Sequence, residues 1–321
     1  KSRNCDCDII FNVIMDDAIR VEGLTKQFGS FTAVDDVSFH VKSGEIFGIL
    51  GPNGAGKTTT LEIIEGLQKP TLGGISVLGV DIRRNPNDFK SRIGVQLQSS
   101  AYYDYLNLEE ILGLLGSCYP KCLSPAKLLK QVGLSEQSQK KVKQLSGGQS
   151  QRFTVAASLV NDPELVILDE PTTGLDPQSR RNLWELINEI QRGGVTVIMT
   201  THYMDEAQSL CNRLAIMDRG KLIAVDTPSN MIKSLKNTYT LKIELTDPIN
   251  EDQLLSLKES ANSIEQITPS SYLLKLNKSP HSLDQILQTI VNTKMHLNHL
   301  EINPVTLEDV FLELTGNELR D

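Results

Sequence analysis

The sequence predicts an α/β fold, a largely parallel, doubly wound sheet carrying a helical insertion, followed by a smaller α+β domain. Three observations carry that prediction. From Ala18 to about Ser229, short β-branched runs alternate with amphipathic helical stretches, the order of chained βαβ units. The runs Glu45 to Leu50, Leu165 to Leu168 and Val195 to Met199 are apolar without alternation and are bounded by turn residues, so they read as central strands covered on both faces. After Pro228 the runs alternate apolar with polar, as in Thr240 to Leu245, which marks half-buried strands and a new domain.

Taken in order, Met15 is followed by Asp16-Asp17 and then clean strand patterning. Met15 therefore reads as the natural start, and residues 1–14 as a disordered or non-native extension. Lys1 and Arg3 precede the short apolar run Ile9 to Ile14, with no small-residue cleavage site, so no signal peptide is read there. A strand over Glu45 to Leu50 leads to a helix from Thr59 to Glu65, and a strand follows at Ile93 to Leu97. Between Gln98 and Leu165 strand signal is weak, and Leu106 to Leu115 and Ser124 to Leu129 read as helices, the second with Ser124 as cap and Pro125 in the first turn. The insertion spans about residues 99–160, and the first domain 15–230. The second domain, 238–321, orders a strand at Thr240 to Leu245, a helix at Glu251 to Ser260, and strands near Ser263 to Ile267 and Tyr272 to Leu276. A helix from Ser282 to Thr293, a strand near Leu297 to Ile302 and a last helix capped by Thr306 complete it. That β-α-β-β-α-β order is ferredoxin-like.

The 321 residues carry 32 Lys+Arg against 40 Asp+Glu, a net charge of −8, which repels polyanions and argues against a nucleic-acid partner. Apolar residues make up 39% and charged ones 22%; no run approaches the roughly 18 apolar residues of a spanning helix. Five cysteines, an odd number scattered along the chain, fit reduced thiols and a cytosolic compartment. Cys5-x-Cys7 and Cys118-x-x-x-Cys122 lack a second ligand pair, so they read as free thiols rather than a metal site.

Gly51-Pro52-Asn53-Gly54-Ala55-Gly56-Lys57-Thr58 fits G-x-x-x-x-G-K-[ST] between a buried strand and a helix, which makes it a P-loop. Its glycines let backbone N–H groups wrap a phosphate at a helix N-terminus. Lys57 brings charge to the β- and γ-phosphates, and Thr58 a hydroxyl for Mg²⁺. Asp169 and Glu170 follow the apolar strand Leu165 to Leu168, at the sheet edge where ligands of open α/β folds bind. There Asp169 can hold Mg²⁺ and Glu170 can polarise an attacking water. Leu145-Ser146-Gly147-Gly148-Gln149 is a capping box opening a helix; a glycine-bare helix N-terminus with a Ser hydroxyl is also a second phosphate site.

Together these residues resemble the nucleotide-binding subunit of an ABC transporter, over about Ile19 to Ser229. The resemblance implies the P-loop NTPase fold of an ABC cassette. It also implies ATP and Mg²⁺ as cofactors and hydrolysis of ATP coupled to transport. ATP would be cradled by Gly51 to Thr58 and Thr59, with Phe28 in the adenine-stacking position. Asp169 becomes the Walker B aspartate, Glu170 the catalytic glutamate and Ser146 to Gln149 the signature. Gln98 becomes the glutamine that touches Mg²⁺ and senses the membrane partner, Gly174-Leu175-Asp176 the D-loop, and His202 the switch histidine orienting the γ-phosphate and water. Ser150 departs from the commoner basic residue after the signature. The block Pro304 to Phe311 is similar to that of bacterial drug- and lipid-exporter ATPases with an extra regulatory domain.

That family works as a head-to-tail dimer, here a homodimer or a heterodimer with a related ATPase. Each ATP would lie between the P-loop of one subunit and the signature of the other. A separate transmembrane permease is the implied partner, which places the chain in the cytoplasm at the inner face of the membrane. Tyr102, Tyr103, Tyr105 and Leu106 form an aromatic stretch suited to docking it. Two rivals fit less well. A non-transport ABC ATPase acting on nucleic acid would favour a basic surface, and a P-loop kinase or GTPase leaves Leu145 to Gln149 without a purpose.

Overall fold

The structure is a computed structural model that describes residues 17–85, 87–96, 102–235, 237–277 and 282–316. Residues 1–14 and Gln98 lie outside the described residues. Contacts divide the chain into two compact units, one ending at Pro228 and the next beginning at Ser229.

In the first unit, β1 (Asp17–Phe28) and β2 (Phe31–Lys42) form an antiparallel hairpin. It is followed by β3 (Ile46–Leu50), α1 (Lys57–Ile64), β4 (Leu72–Val77), β5 (Val80–Asp81) and β6 (Ile93–Gln96). The insertion supplies α2 (Leu108–Gly116), α3 (Pro125–Gln131) and α4 (Gly147–Ser158). The unit then runs through β7 (Leu165–Asp169), α5 (Pro177–Arg192), β8 (Thr196–Thr201), α6 (Met204–Leu210), β9 (Arg213–Asp218) and β10 (Lys221–Asp226). One sheet has the order β10-β9-β3-β8-β7-β6 and is parallel except for β10; the other, β2-β1-β4-β5, is antiparallel.

Every residue of β3, β7 and β8 is buried, which is why their sequences are apolar or β-branched without alternation. The two sheets share one core, in which Phe39 of β2 stacks on Phe47 of β3 with ring centroids 5.3 Å apart. Burying each such ring is worth about 2–3 kcal/mol. β8 runs through Thr200 and Thr201, beyond the apolar run, because these β-branched residues are fully buried and Thr200 pairs with Asp169. On the neighbouring strand β6, Gly94 is required by contact: a Cβ there would lie 1.8 Å from the Ser158 carbonyl oxygen at the end of α4.

The second unit comprises α7 (Pro228–Ser234), β11 (Asn237–Leu245), α8 (Glu251–Ser260), β12 (Ser263–Thr268), β13 (Ser271–Asn277), α9 (Ser282–Asn292), β14 (Leu297–Pro304) and α10 (Leu307–Thr315). Its antiparallel sheet has the order β12-β13-β11-β14, the arrangement the ferredoxin-like element order requires. Leu241, Ile243, Leu274 and Leu276 of the sheet pack with Leu257, Ile286 and Ile290 of the helices. Capping boxes at Asn250/Gln253 and Thr306/Asp309 start α8 and α10, satisfying N–H groups that a helix leaves unpaired.

Candidate nucleotide site

The site is built at the carboxyl edge of the parallel sheet. β3 delivers the chain into the loop Gly51–Gly56, which then enters α1. A Cβ at Gly51 would lie 2.3 Å from the Met217 carbonyl oxygen, and one at Gly56 would lie 2.5 Å from that of Ala33. The loop thus threads between β9 and β2 with no room for a side chain at these two positions. Gly56 has φ +98° and offers no side-chain cap, and α1 begins at Lys57, two residues before the Thr59 start expected from the sequence.

Lys57 is 4% exposed. Its Nζ donates to the carbonyls of Gly51 (2.8 Å) and Pro52 (3.2 Å) and lies 3.4 Å from Glu170 Oε1. Burial draws its ammonium pKa down, against the upward pull of Glu170 and Asp169. Thr58 Oγ1 donates to Asp169 Oδ2 at 3.3 Å, and the Thr200 hydroxyl bonds Asp169 Oδ1. Thr58 and Asp169 are therefore adjacent oxygen donors, the ligand type Mg²⁺ takes when it keeps several waters and phosphate oxygens. The donor set fits that ion. No cluster of three His, Cys, Asp or Glu side chains exists among the described residues.

Glu170 adopts φ +47°, a left-handed conformation costing a side-chain-bearing residue about 1–2 kcal/mol. Its N–H donates to Thr200 Oγ1 (3.0 Å), and its Oε2 accepts from Thr173 Oγ1 (3.2 Å). His202 Nδ1 lies 3.4 Å from Oε2, not aligned for a hydrogen bond. Burial pushes the Glu170 carboxyl up; Lys57 and His202 outweigh it and hold the group below its usual range. Glu170 is therefore an ionised carboxylate at neutral pH, positioned by strands β7 and β8.

A cavity of about 240 Å³ is lined by Asn53 to Thr59, Glu170, Ala33 and Phe31. The structure thus brings together Asn53, Gly54, Ala55, Gly56, Lys57, Thr58, Thr59 and Glu170, with Asp169 and His202 in contact behind them. Phe28 is exposed at the hairpin end, with Lys26 Nζ 4.8 Å from its ring centroid. Phe31, which sequence reasoning missed, pairs with Phe28 across the turn and lines the cavity directly; its signal was that cross-strand position. Thr200 and Thr173 were also missed: Thr200 is a buried hydroxyl and Thr173 an exposed one three residues after Glu170, and neither leaves a pattern in sequence.

Ser146 to Gln149 do not line this cavity. Ser146 Oγ accepts from Gln149 N (3.3 Å) while Gln149 Oε1 accepts from Ser146 N (3.1 Å), closing the capping box that starts α4. Ser146 and Gly147 are exposed. Asp176 caps α5, its Oδ1 accepting from Gln178 N and Ser179 N at 3.1 and 3.0 Å. The two helix tips meet, since a Cβ on Gly148 would lie 2.6 Å from Ser179 Oγ. In the aromatic stretch, Tyr102 packs edge-on against Phe153 (5.2 Å), whereas Tyr103 and Tyr105 are exposed. Cys118, Cys122 and Cys211 are free thiols.

Residues 34–173 match the family model described as ABC transporter, and residues 230–315 match the C-terminal domain of ATP-binding protein DrrA1-3-like proteins. The linearmycin resistance ATP-binding protein LnrL of Bacillus subtilis is 36% identical over 312 residues, covering 94% of this chain and 100% of that protein. The chain is an ABC transporter ATP-binding protein. A Nod factor export ATP-binding protein I of Paraburkholderia xenovorans is 37% identical, covering 95% of this ABC protein and 99% of its relative. Among solved structures, cbiO1 from Clostridium perfringens, part of an ABC transporter complex, has a TM-score of 0.62 at 28% identity over 68% of this chain and 92% of that one. A dimeric cassette in a post-hydrolysis state, bound to ADP and Pi, has a TM-score of 0.59 at 28% identity over 65% and 98%. ABC proteins of this kind hydrolyse ATP to power transport, form dimers and work with a membrane permease. Among the described residues no helix is long and apolar enough to cross a membrane.

Proposed function

We propose that this chain is the ATPase of an exporter for a drug- or lipid-like amphiphile, acting at the inner face of the cell membrane beneath a separate permease. Relatives named for linearmycin resistance and Nod factor export support that direction, and the second unit serves as an accessory domain. The net charge of −8 supports a role without nucleic acid. The observation that carries the reading is a division of parts: Glu170 sits between Lys57 and His202 at the P-loop, while Ser146 to Gln149 lie away from that cavity. A second cassette, docked head to tail, brings its Ser146 to Gln149 and Asp176 to close each ATP site.

In this reading Gly51, Pro52, Asn53, Gly54, Ala55, Gly56 and Thr59 present backbone or hydroxyl donors to the phosphates. Phe28 stacks on the base, and Lys57 moves from its carbonyl acceptors to the β- and γ-phosphates. Thr58, Asp169 and Gln98 hold Mg²⁺, which when bound neutralises phosphate charge. Glu170 accepts the proton of a water attacking the γ-phosphorus, the bond to the β-phosphate oxygen breaks, and ADP and Pi leave. His202 orients that water and the γ-phosphate. Loss of the γ-phosphate removes contacts to Ser146 and Gly148 of the second cassette, and the dimer opens. Glu170→Gln should bind ATP, accumulate as an ATP-dependent dimer in sedimentation, and lose turnover by about 10²–10⁴-fold, the usual range for removing a general base. Near-normal hydrolysis by that variant would remove Glu170 from the mechanism.

A further inference from the structure

His202 stands where the chain leaves β8 for α6. The nitrogen that faces Glu170 does not hold its ring: Nδ1 is buried and meets no hydrogen-bond partner among the described residues. Packing has to set the ring's direction instead. The Tyr203 ring lies against it, with centroids 4.1 Å apart and planes tilted by 43°. Tyr203 is itself tied to the sheet, because its N–H donates to the Oγ1 of the buried Thr201 at 2.9 Å.

Over the Tyr203 ring lies Arg180 of α5, its guanidinium carbon 4.2 Å from the ring centroid. Arg180 Nε is buried and meets no hydrogen-bond acceptor among the described residues. Nη1 lies 3.5 Å from Asp205 Oδ2, but that carboxylate is 61% exposed, and an ion pair so open to water contributes little. The ring face is therefore the main partner of the guanidinium, in a contact that strengthens as water is excluded. One turn further along α5, Trp184 Nε1 donates to Oε1 of the fully buried Glu206 in α6 at 3.0 Å. This second tie joins α5 to α6 without Arg180, so the helices stay in register when the stack is removed.

We propose that Arg180 and Tyr203 are positioning residues for hydrolysis: the guanidinium clamps the Tyr203 ring, and that ring sets the direction in which His202 faces Glu170. The inference rests on the reading of His202 as the group that orients the attacking water and the γ-phosphate. Neither residue lines the P-loop cavity, so both act through His202. What the stack requires of position 203 is a flat π face rather than a hydroxyl. What it requires of position 180 is a planar cation, which lysine does not replace.

Two measurements on the full chain test this. Without nucleotide, the His202 ring-proton NMR signals, assigned by their absence from His202→Ala, should move in Tyr203→Leu and hold in Tyr203→Phe. The Trp184 indole N–H signal should stay in place in both, which reports an intact α5–α6 tie. In a phosphate-release assay, Tyr203→Leu should lower kcat about tenfold with KM for ATP within about twofold, because misplacing a group costs part of what removing it costs. Arg180→Gln should lower kcat in the same direction, and it carries the test where Tyr203→Leu folds poorly. Tyr203→Phe should restore turnover. Added to His202→Ala, Tyr203→Leu should cost nothing further, whereas damage to the fold would persist on that background. Wild-type kcat in Tyr203→Leu and Arg180→Gln, beside an inactive His202→Ala, overturns the proposal and leaves the reading of His202 standing. So does a further loss in the double variant. Near-normal hydrolysis by His202→Ala overturns the reading of His202 itself, and this proposal with it.

Discussion

Glu65 makes the stability of the first unit depend on pH in a direction opposite to that of most carboxylates. Burial, with the nearby charges of Asp169 and Glu62, pushes its carboxyl up from 4.5 to about 7. Between those values the unfolded chain sheds a proton that the folded chain keeps, so stability is full below pH 4.5 and is lost as pH rises through about 7. A displacement of that size is worth about 3 kcal/mol at its limit. Glu65→Gln removes the titration. The amide carries its own unmet donors, which adds a constant to every measurement but leaves the pH dependence intact. The stability of the variant relative to wild type should therefore rise by about 3 kcal/mol between pH 5 and pH 8. Urea unfolding followed by tryptophan fluorescence reads this directly, because Trp184, the one tryptophan in the sequence, lies in α5 of the same unit. Parallel stability curves for the two proteins across that range would refute the reasoning.

Phe28→Ala should raise KM for ATP several-fold with little change in kcat, and Phe31→Ala should do the same if the cross-strand pair forms one apolar platform for the base; unchanged KM in both variants would take the hairpin out of the site. Gly94→Ala must move β6 from the end of α4 by more than an ångström, at a cost of about 2–4 kcal/mol, visible as a lowered urea midpoint. Tyr103→Ala and Tyr105→Ala should weaken recruitment to permease-containing membranes while leaving ATP hydrolysis by the free chain at wild-type level, which co-sedimentation and a phosphate-release assay measure.

Period and turn chemistry made most of the fold legible. β3 and β7 are buried on both faces, and such strands have to be continuously apolar; Asn250, Ser124 and Thr306 carry side-chain oxygens that only a helix start uses this way. What the sequence did not carry was set by contacts far along the chain. The start of α1 has no polar cap to signal it, because its N-cap is Gly56, at positive φ and with the Ala33 carbonyl where a side chain would stand. Thr200 looks like any strand residue until its hydroxyl is found between Asp169 and the Glu170 N–H. Glu65 stands at the end of the helix read from the sequence, and only tertiary packing buries it. At the candidate site the spacing named the P-loop, the paired acids and the capped helix, since each needs a fixed local geometry. Phe31 needed the strand register.

The close approach of Gly148 to Ser179 joins the tip of α4 to the tip of α5, so in the proposed head-to-tail pair what one protomer would lend its neighbour is a single solid corner rather than two independent loops. In that proposed pair, a molecule damaged at the corner would keep a sound pocket of its own and spoil only the one next door; a molecule damaged at Glu170 would do the reverse. Two such inactive proteins, mixed, would pair into assemblies in which one of the two pockets is whole again, assembled from the undamaged half of each.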